Sequence, residues 1–125
     1  MMEKTGMIQQ DLGRFGEEKA ADYLISKGYA IRDRNFRCRF GEIDIIAEKD
    51  GTIVFVEVKL RKNDRYGSAA EFVNTSKQRK IRCTAEFYLC GQRSEENCRF
   101  DVMEIYAPSG TEGTVRINHI ENAFM

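Results

Sequence analysis

Two carboxylates and an ammonium interrupt the most apolar, β-branched runs of this chain. Asp44 divides Ile43 from Ile45 and Ile46, while Glu57 and Lys59 break the run Val54, Phe55, Val56, Val58, Leu60. Charges in such surroundings resist desolvation, so something in the native state must compensate them. The two runs flank Asp50-Gly51, and Asp-Gly between β-branched segments is a strong signal for a two-residue hairpin turn. With those residues at the centre of a type I′ turn, Lys49 faces Thr52, and counting outward sets Asp44 directly opposite Glu57. Period two puts Lys59 on the same face, together with Ile53 and Phe55. Like charges opposed across a sheet destabilise it, so this register calls for a cation between them.

A third carboxylate can reach the same place. Glu17 lies three, four and seven residues before Ala20, Ala21 and Leu24, and so continues the apolar stripe of a predicted helix. Its neighbour Glu18 points to the polar side with Asp22. Gly13 and Gly16 stand in the first turns of that helix, each costing about 1 kcal/mol relative to Ala, and close backbone approach would be a reason to keep them. Glu17, Asp44 and Glu57, with no histidine beside them, are a hard-oxygen donor set. It suits Mg²⁺ (or Mn²⁺), which takes one or two protein carboxylates, several waters and substrate phosphate oxygens. Lys59 would orient or help deprotonate the attacking water and stabilise charge developing at phosphorus. The same residues would also serve an ordinary exposed Glu57–Lys59 ion pair with Asp44 partnered by an arginine. The apolar strands, the turn-derived register and the basic tract that follows favour the metal-binding reading.

The chain has 20 Lys+Arg and 20 Asp+Glu, so its net charge is zero and only the distribution is informative. From Lys59 to Arg82 there are eight Lys/Arg against two acids, and from Cys83 onward seven acids against three Arg. A basic middle and an acidic end suggest a surface facing a polyanion, with a solvated charged face as the plain alternative. Arg61 and Lys62 extend the basic tract from the hairpin. In "SKQRKIR", Lys77, Arg79 and Lys80 fall in the first turns of a second helix, where cations oppose the macrodipole unless an anion binds there. Gln78 adds a polar group.

The elements that would position these residues read α-β-β-β-α-β-β. A helix runs from about Asp11 to Lys27 and is stopped by Gly28, with a short strand near Tyr29–Arg34 after it. The hairpin occupies about Gly41–Glu48 and Thr52–Leu60. A second helix, capped by Thr75 or Ser76, runs to about Cys90, and strands near Arg99–Tyr106 and Val115–Ile120 complete the order. The helix between the third and fourth strands implies a right-handed parallel crossover onto an otherwise antiparallel sheet. The fold class is thus α/β, a mixed sheet flanked by helices. Residues 1–10 are expected to be poorly ordered and 11–125 to form a single domain. Its 125 residues are enough for a core without disulfides. The four cysteines form no CxxC pair and read as free thiols of a reducing compartment. With no apolar run long enough to span a bilayer, the expectation is a cytoplasmic protein without a membrane partner.

Together, "GRFGEEKAADYLISKGY", "GEIDIIAEKDGTIVFVEVKLR", "SKQRKI", "RFDVMEIY" and "INHIENAF" resemble the YraN-like family of small bacterial proteins, over nearly the whole chain from about Leu12. That family in turn resembles the PD-(D/E)xK nucleases, which include type II restriction endonucleases and archaeal Holliday-junction resolvases. The resemblance implies a restriction-endonuclease-like αβββαβ core. It implies metal binding by Asp44, Glu57 and the backbone carbonyl of Val58, with Lys59 as the catalytic lysine and Glu17 as the helix-one acid of the resolvase-like branch. Lys77, Gln78 and Lys80 fall where such proteins carry auxiliary substrate contacts. Ile43 stands where the motif has Pro.

The expectation is therefore a metal-dependent endonuclease acting on DNA, such as branched recombination or repair intermediates, and a homodimer on a two-stranded substrate. Two rivals stand beside it: a non-catalytic nucleic-acid-binding module, and a protein-interaction scaffold on the same fold.

Overall fold

Asp50 and Gly51 take φ of 52° and 79°, the left-handed values that a type I′ turn needs at both central positions. The hairpin they close is the centre of a computed structural model of the chain, which describes residues 8–61, 74–90, 97–108 and 113–124, the side chains of 8–12 excepted. Its elements are α1 (Ile8–Ser26), β1 (Ala30–Cys38), β2 (Gly41–Lys49), β3 (Thr52–Arg61), α2 (Thr75–Cys90), β4 (Asn97–Tyr106) and β5 (Arg116–Phe124). The five strands form one sheet in the order β1-β2-β3-β4-β5. Only β3 and β4 run parallel, and the other neighbours are antiparallel. Among the described residues this is a mixed α/β sheet with two helices.

Strand alternation divides the core into two. Val54 and Val56 of β3 face Ala20, Ala21 and Leu24 of α1, and Ile53 and Phe55 face Ile81 and Ala85 of α2. A helix on each side buries both faces of β3, which is why its sequence is almost continuously apolar.

The differences from the sequence expectation lie at the ends. Helix α1 begins at Ile8 rather than Asp11, and the expectation for residues 1–7 lies outside the described residues. Strand β1 continues to Cys38 rather than Arg34, and β5 to Phe124 rather than Ile120. Both are edge strands, where polar side chains are tolerated and pairing to one neighbour extends a strand beyond its apolar stretch. Among the described residues, no helix is long and apolar enough to cross a membrane, and Cys38, Cys83, Cys90 and Cys98 are free thiols.

The two early glycines of α1 differ from each other. A Cβ on Gly16 would meet Leu60 and Val58 at 3.5–3.8 Å, so the helix does pass closely over β3 there, whereas nothing lies within 4 Å of one on Gly13. Close approach therefore does not explain Gly13. Gly13→Ala should raise stability by about 0.5–1 kcal/mol through the helix-forming tendency of alanine, read as a higher Tm.

Candidate active site

The site lies where β2 and β3 part. Their pairing follows the register set by the turn from Lys49↔Thr52 to Ile45↔Val56 and stops there, one residue short of the expected opposition of Asp44 and Glu57. The Asp44 carboxylate instead reaches across the opening, and its Oδ2 accepts the Val58 N–H at 2.8 Å. It thereby takes the place of the strand carbonyl that this amide would otherwise meet. Alternation breaks at Asp44: Ile43 joins Ile46 on the α2 side, while Ile45 and Ala47 face α1.

Glu57 is buried. Its Oε2 lies 2.5 Å from Lys77 Nζ and 3.5 Å from Lys59 Nζ. Lys77 comes from the first turn of α2, whose N-cap is Asn74 rather than Thr75 or Ser76. Asn74 Oδ1 accepts the Lys77 N–H at 2.9 Å, and its carbonyl accepts that of Gln78 at 2.9 Å. One of the adverse cations at this helix start, Lys77, is thus met from within the chain, by Glu57. Asp44, Glu57, Lys77 and Lys80, with Glu42 and Asn74, line one cleft of about 400 Å³.

The other sequence candidates are placed as follows. Glu17 stands on α1 and accepts from Asn35 Nδ2 at 3.0 Å. Among the described residues, no three of His, Cys, Asp and Glu are gathered closely enough to hold a metal ion, so Glu17 is near the pair without joining it. Arg61 lies 3.8 Å from Glu104 on β4. Gln78 is half-buried, Arg79 and Lys80 are exposed, and Lys62 lies outside the described residues.

A family model described as "Uncharacterised protein family UPF0102" matches residues 16–105. A UPF0102 protein of Caldicellulosiruptor bescii is 49% identical over 120 residues, covering 94% of this chain and 100% of that protein. One of Caldicellulosiruptor saccharolyticus is 46% identical with the same coverage, and one of Symbiobacterium thermophilum is 46% identical over 118 residues, covering 94% and 98%. The chain belongs to the UPF0102 family.

The cleft of this UPF0102 protein carries opposed electrostatic demands. Burial, then the Glu57 carboxylate, and further Glu17 and Glu42, push the Asp44 carboxyl up to about 7 against the Val58 hydrogen bond that would lower it. Burial lowers the Lys59 ammonium and the adjacent Lys77 lowers it further, with Glu57 opposing. For Lys77, burial would act downward, but its bond to Glu57 outweighs that and holds it above the usual lysine value. The pattern is two acids that repel and an amine drawn toward neutrality.

A stability effect follows. The folded Asp44 carboxyl titrates at about 7 against 3.8 ordinarily, so the folded chain keeps an extra proton between those values and loses stability as pH rises through them. Asp44→Asn keeps an acceptor for Val58 without the charge. In metal-free buffer it should match wild type near pH 4 and exceed it above pH 7 by on the order of 1–2 kcal/mol, a Tm gain of several degrees. Melting curves across pH check this.

Sequence reasoning missed four residues of this UPF0102 chain that the fold brings into play. Glu42 and Asn74 line the cleft, and neither interrupts an apolar strand. Asp101 and Glu104 are completely buried on β4. Both do interrupt an apolar run, the signal that picked out Asp44 and Glu57.

Proposed function

We propose that this UPF0102 protein is an endonuclease that hydrolyses DNA phosphodiesters with Mg²⁺ or Mn²⁺, on a restriction-endonuclease-like αβββαβ core, and acts on branched or otherwise unusual DNA. The observation that carries the reading is that Asp44 and Glu57 line one cleft with Lys77 and Lys80, with Lys59 Nζ 3.5 Å from Glu57. The element order α1-β1-β2-β3-α2-β4, with β3 and β4 parallel, is what such a core requires.

The donor set fits the ion. Two hard carboxylates that repel each other are what a divalent cation relieves, and Mg²⁺ needs no more than one or two from the protein. Asp44, Glu57 and the Val58 carbonyl would hold it, with the Glu17 carboxylate nearby on α1 adding to the negative charge around it. Bound there, it would supply Lewis-acid polarisation of the phosphate and a more acidic water. The chain's own residues do the rest. Lys59, in its neutral amine form, accepts the proton of the water that adds in line to phosphorus, while one ester P–O bond breaks and the leaving oxygen takes a proton from solvent. Lys77 exchanges its bond to Glu57 for the phosphate and neutralises charge as it develops. Lys80, Arg79 and Gln78, with Arg61 and Lys62 along the tract, hold the backbone. A homodimer would present two such clefts to the two strands of a duplex or junction.

The test is a panel of single-stranded, duplex, flap and four-way substrates with Mg²⁺, Mn²⁺ or EDTA. Metal-dependent product, greatest on the branched forms, is expected, and no product on any member would end the nuclease reading. The engagement of Glu57 by Lys77 also favours a second reading, a nucleic-acid-binding module without catalysis. That protein would bind the panel fully in EDTA and cut none of it. A protein scaffold would show no DNA binding even at low salt.

A further inference from the structure

Beside the cleft, α2 and the turn between β1 and β2 leave an aromatic surface outside the core. Phe40 and Phe87 are 39% and 47% exposed, and their rings lie 6.1 Å apart, edge to face. Phe36 backs them, 6.4 Å from Phe87. The Arg39 guanidinium lies 5.0 Å over the Phe40 ring. Single exposed rings are ordinary, but rings grouped with arginine mark a binding surface.

This surface continues from the cleft. Gly41, which follows Phe40, lines the cleft and lies against α2, where a Cβ would come 3.1 Å from Thr84 Oγ1 and 3.7 Å from Lys80 Cβ. From Lys80 in the cleft to Phe87 the helix rises about 10 Å, which is about three stacked-base spacings of 3.4 Å. Glu42, which lines the cleft beside Gly41, is answered by Arg37 at 3.6 Å, so its charge does not repel a strand unopposed. Glu86 is exposed next to Phe87 on the helix.

We propose that Phe40 and Phe87, with Arg39, form a stacking platform for unpaired nucleobases, over which single strand leaves the cleft. The inference deepens the nucleic-acid reading of the cleft and rests on it. The exposed parts of these rings can stack on any base, and a guanidinium among them serves both ring and phosphate, the combination that single-stranded nucleic acid uses. The substrate class is then DNA with an unpaired stretch next to the held phosphate, such as a flap, a fork or the arm of an open junction.

The experiment measures binding in EDTA, by fluorescence anisotropy, of an oligo-dT strand and a blunt duplex of equal length. Wild type, Phe87→Ala, the double variant Phe40→Ala/Phe87→Ala and Phe87→Tyr are compared. Base stacking on an aromatic side chain predicts about a tenfold loss of oligo-dT affinity for Phe87→Ala and more for the double variant. Duplex affinity should change less than twofold, and Phe87→Tyr should keep oligo-dT binding. Equal losses on both ligands, or none, would overturn the platform. So would sedimentation showing a wild-type dimer that Phe87→Ala dissociates, since a second copy of the chain would then cover the rings. Cleavage of the panel is read separately with Mg²⁺. Ring-dependent strand binding without cleavage sinks the nuclease reading alone, and cleavage with ring-independent binding sinks the platform alone.

Discussion

Asp44→Asn and Glu57→Gln should each reduce Mg²⁺-dependent cleavage by about 10³-fold or more, a loss of about 4 kcal/mol of transition-state stabilisation. Charge decides the effect. Each substitution keeps size and hydrogen-bonding capacity and removes half of a two-carboxylate donor set. In Asp44→Asn the new amide oxygen can still accept from the Val58 N–H that Asp44 holds at 2.8 Å, so the fold should survive. Lys59→Ala should cost about 10²–10⁴-fold, the range of a general acid–base group. Lys77→Ala divides its effect. It removes a cation for the phosphate, but it also frees Glu57, which Lys77 now engages, so KM should rise more than kcat falls. DNA affinity of Asp44→Asn in EDTA should stay within about twofold of wild type, because removing a negative charge from a polyanion site does not weaken binding. Variants and wild type must be purified side by side. Equal product from wild type and Asp44→Asn would assign the activity to a contaminant.

How far this site was legible follows from how each residue is placed. The Asp50-Gly51 turn has only one favourable geometry, so the pairing of β2 with β3 could be counted outward from it. Burial of Glu57 was legible because a charge inside an apolar run has nowhere else to point. The parting of the strands after Ile45 and Val56 was not, since it depends on how α1, β1 and α2 pack on either side, and that is tertiary information. Asp44 consequently bonds across to Val58 instead of standing opposite Glu57. The basic start of α2 was read as a vacancy for an external anion, yet Lys77 finds Glu57. Pairing between a strand and a helix separated by a loop leaves no mark in local spacing. The stripe containing Glu17 pointed to the right side of α1, but only the fold shows Asn35, at φ 53°, holding it. On β4 no turn fixes a register, so the acids within "FDVMEIY" gave a signal without an address.

Of those acids, Asp101 carries the larger consequence for stability: Asp101→Ala should destabilise the chain by about 3–5 kcal/mol, the cost of breaking a buried charge pair from one side. Its carboxylate is fully buried and takes four bonds. Oδ1 accepts from Arg99 Nε and from the Asn122 N–H, each at 2.9 Å, and Oδ2 meets Arg99 Nη2 at 2.9 Å and His119 Nε2 at 2.7 Å. The β4–β5 register shifts between Phe100 and Val102, and Asn122 takes φ of 56°, so Asp101 caps an amide that the irregular ladder releases. Arg99 Nη2 passes the connection on to the Tyr29 hydroxyl at 2.6 Å, and His119 packs edge-on against Tyr23 and Tyr29. Removing the carboxylate takes two bonds from Arg99, leaving it the bond to Tyr29, strands the Asn122 amide and loosens β5 from the sheet. The sign of the pH dependence is fixed as well. Burial alone would raise the Asp101 carboxyl, but the bonds from His119, Arg99 and Asn122 hold it below 3.8. Its stabilisation is therefore complete above that value and is lost as pH falls through the lower folded pKa. Denaturant unfolding should show wild type losing stability steeply in acid and Asp101→Asn less stable at neutral pH with a flatter acid limb. Parallel acid limbs for the two proteins would mean that another carboxylate governs acid unfolding.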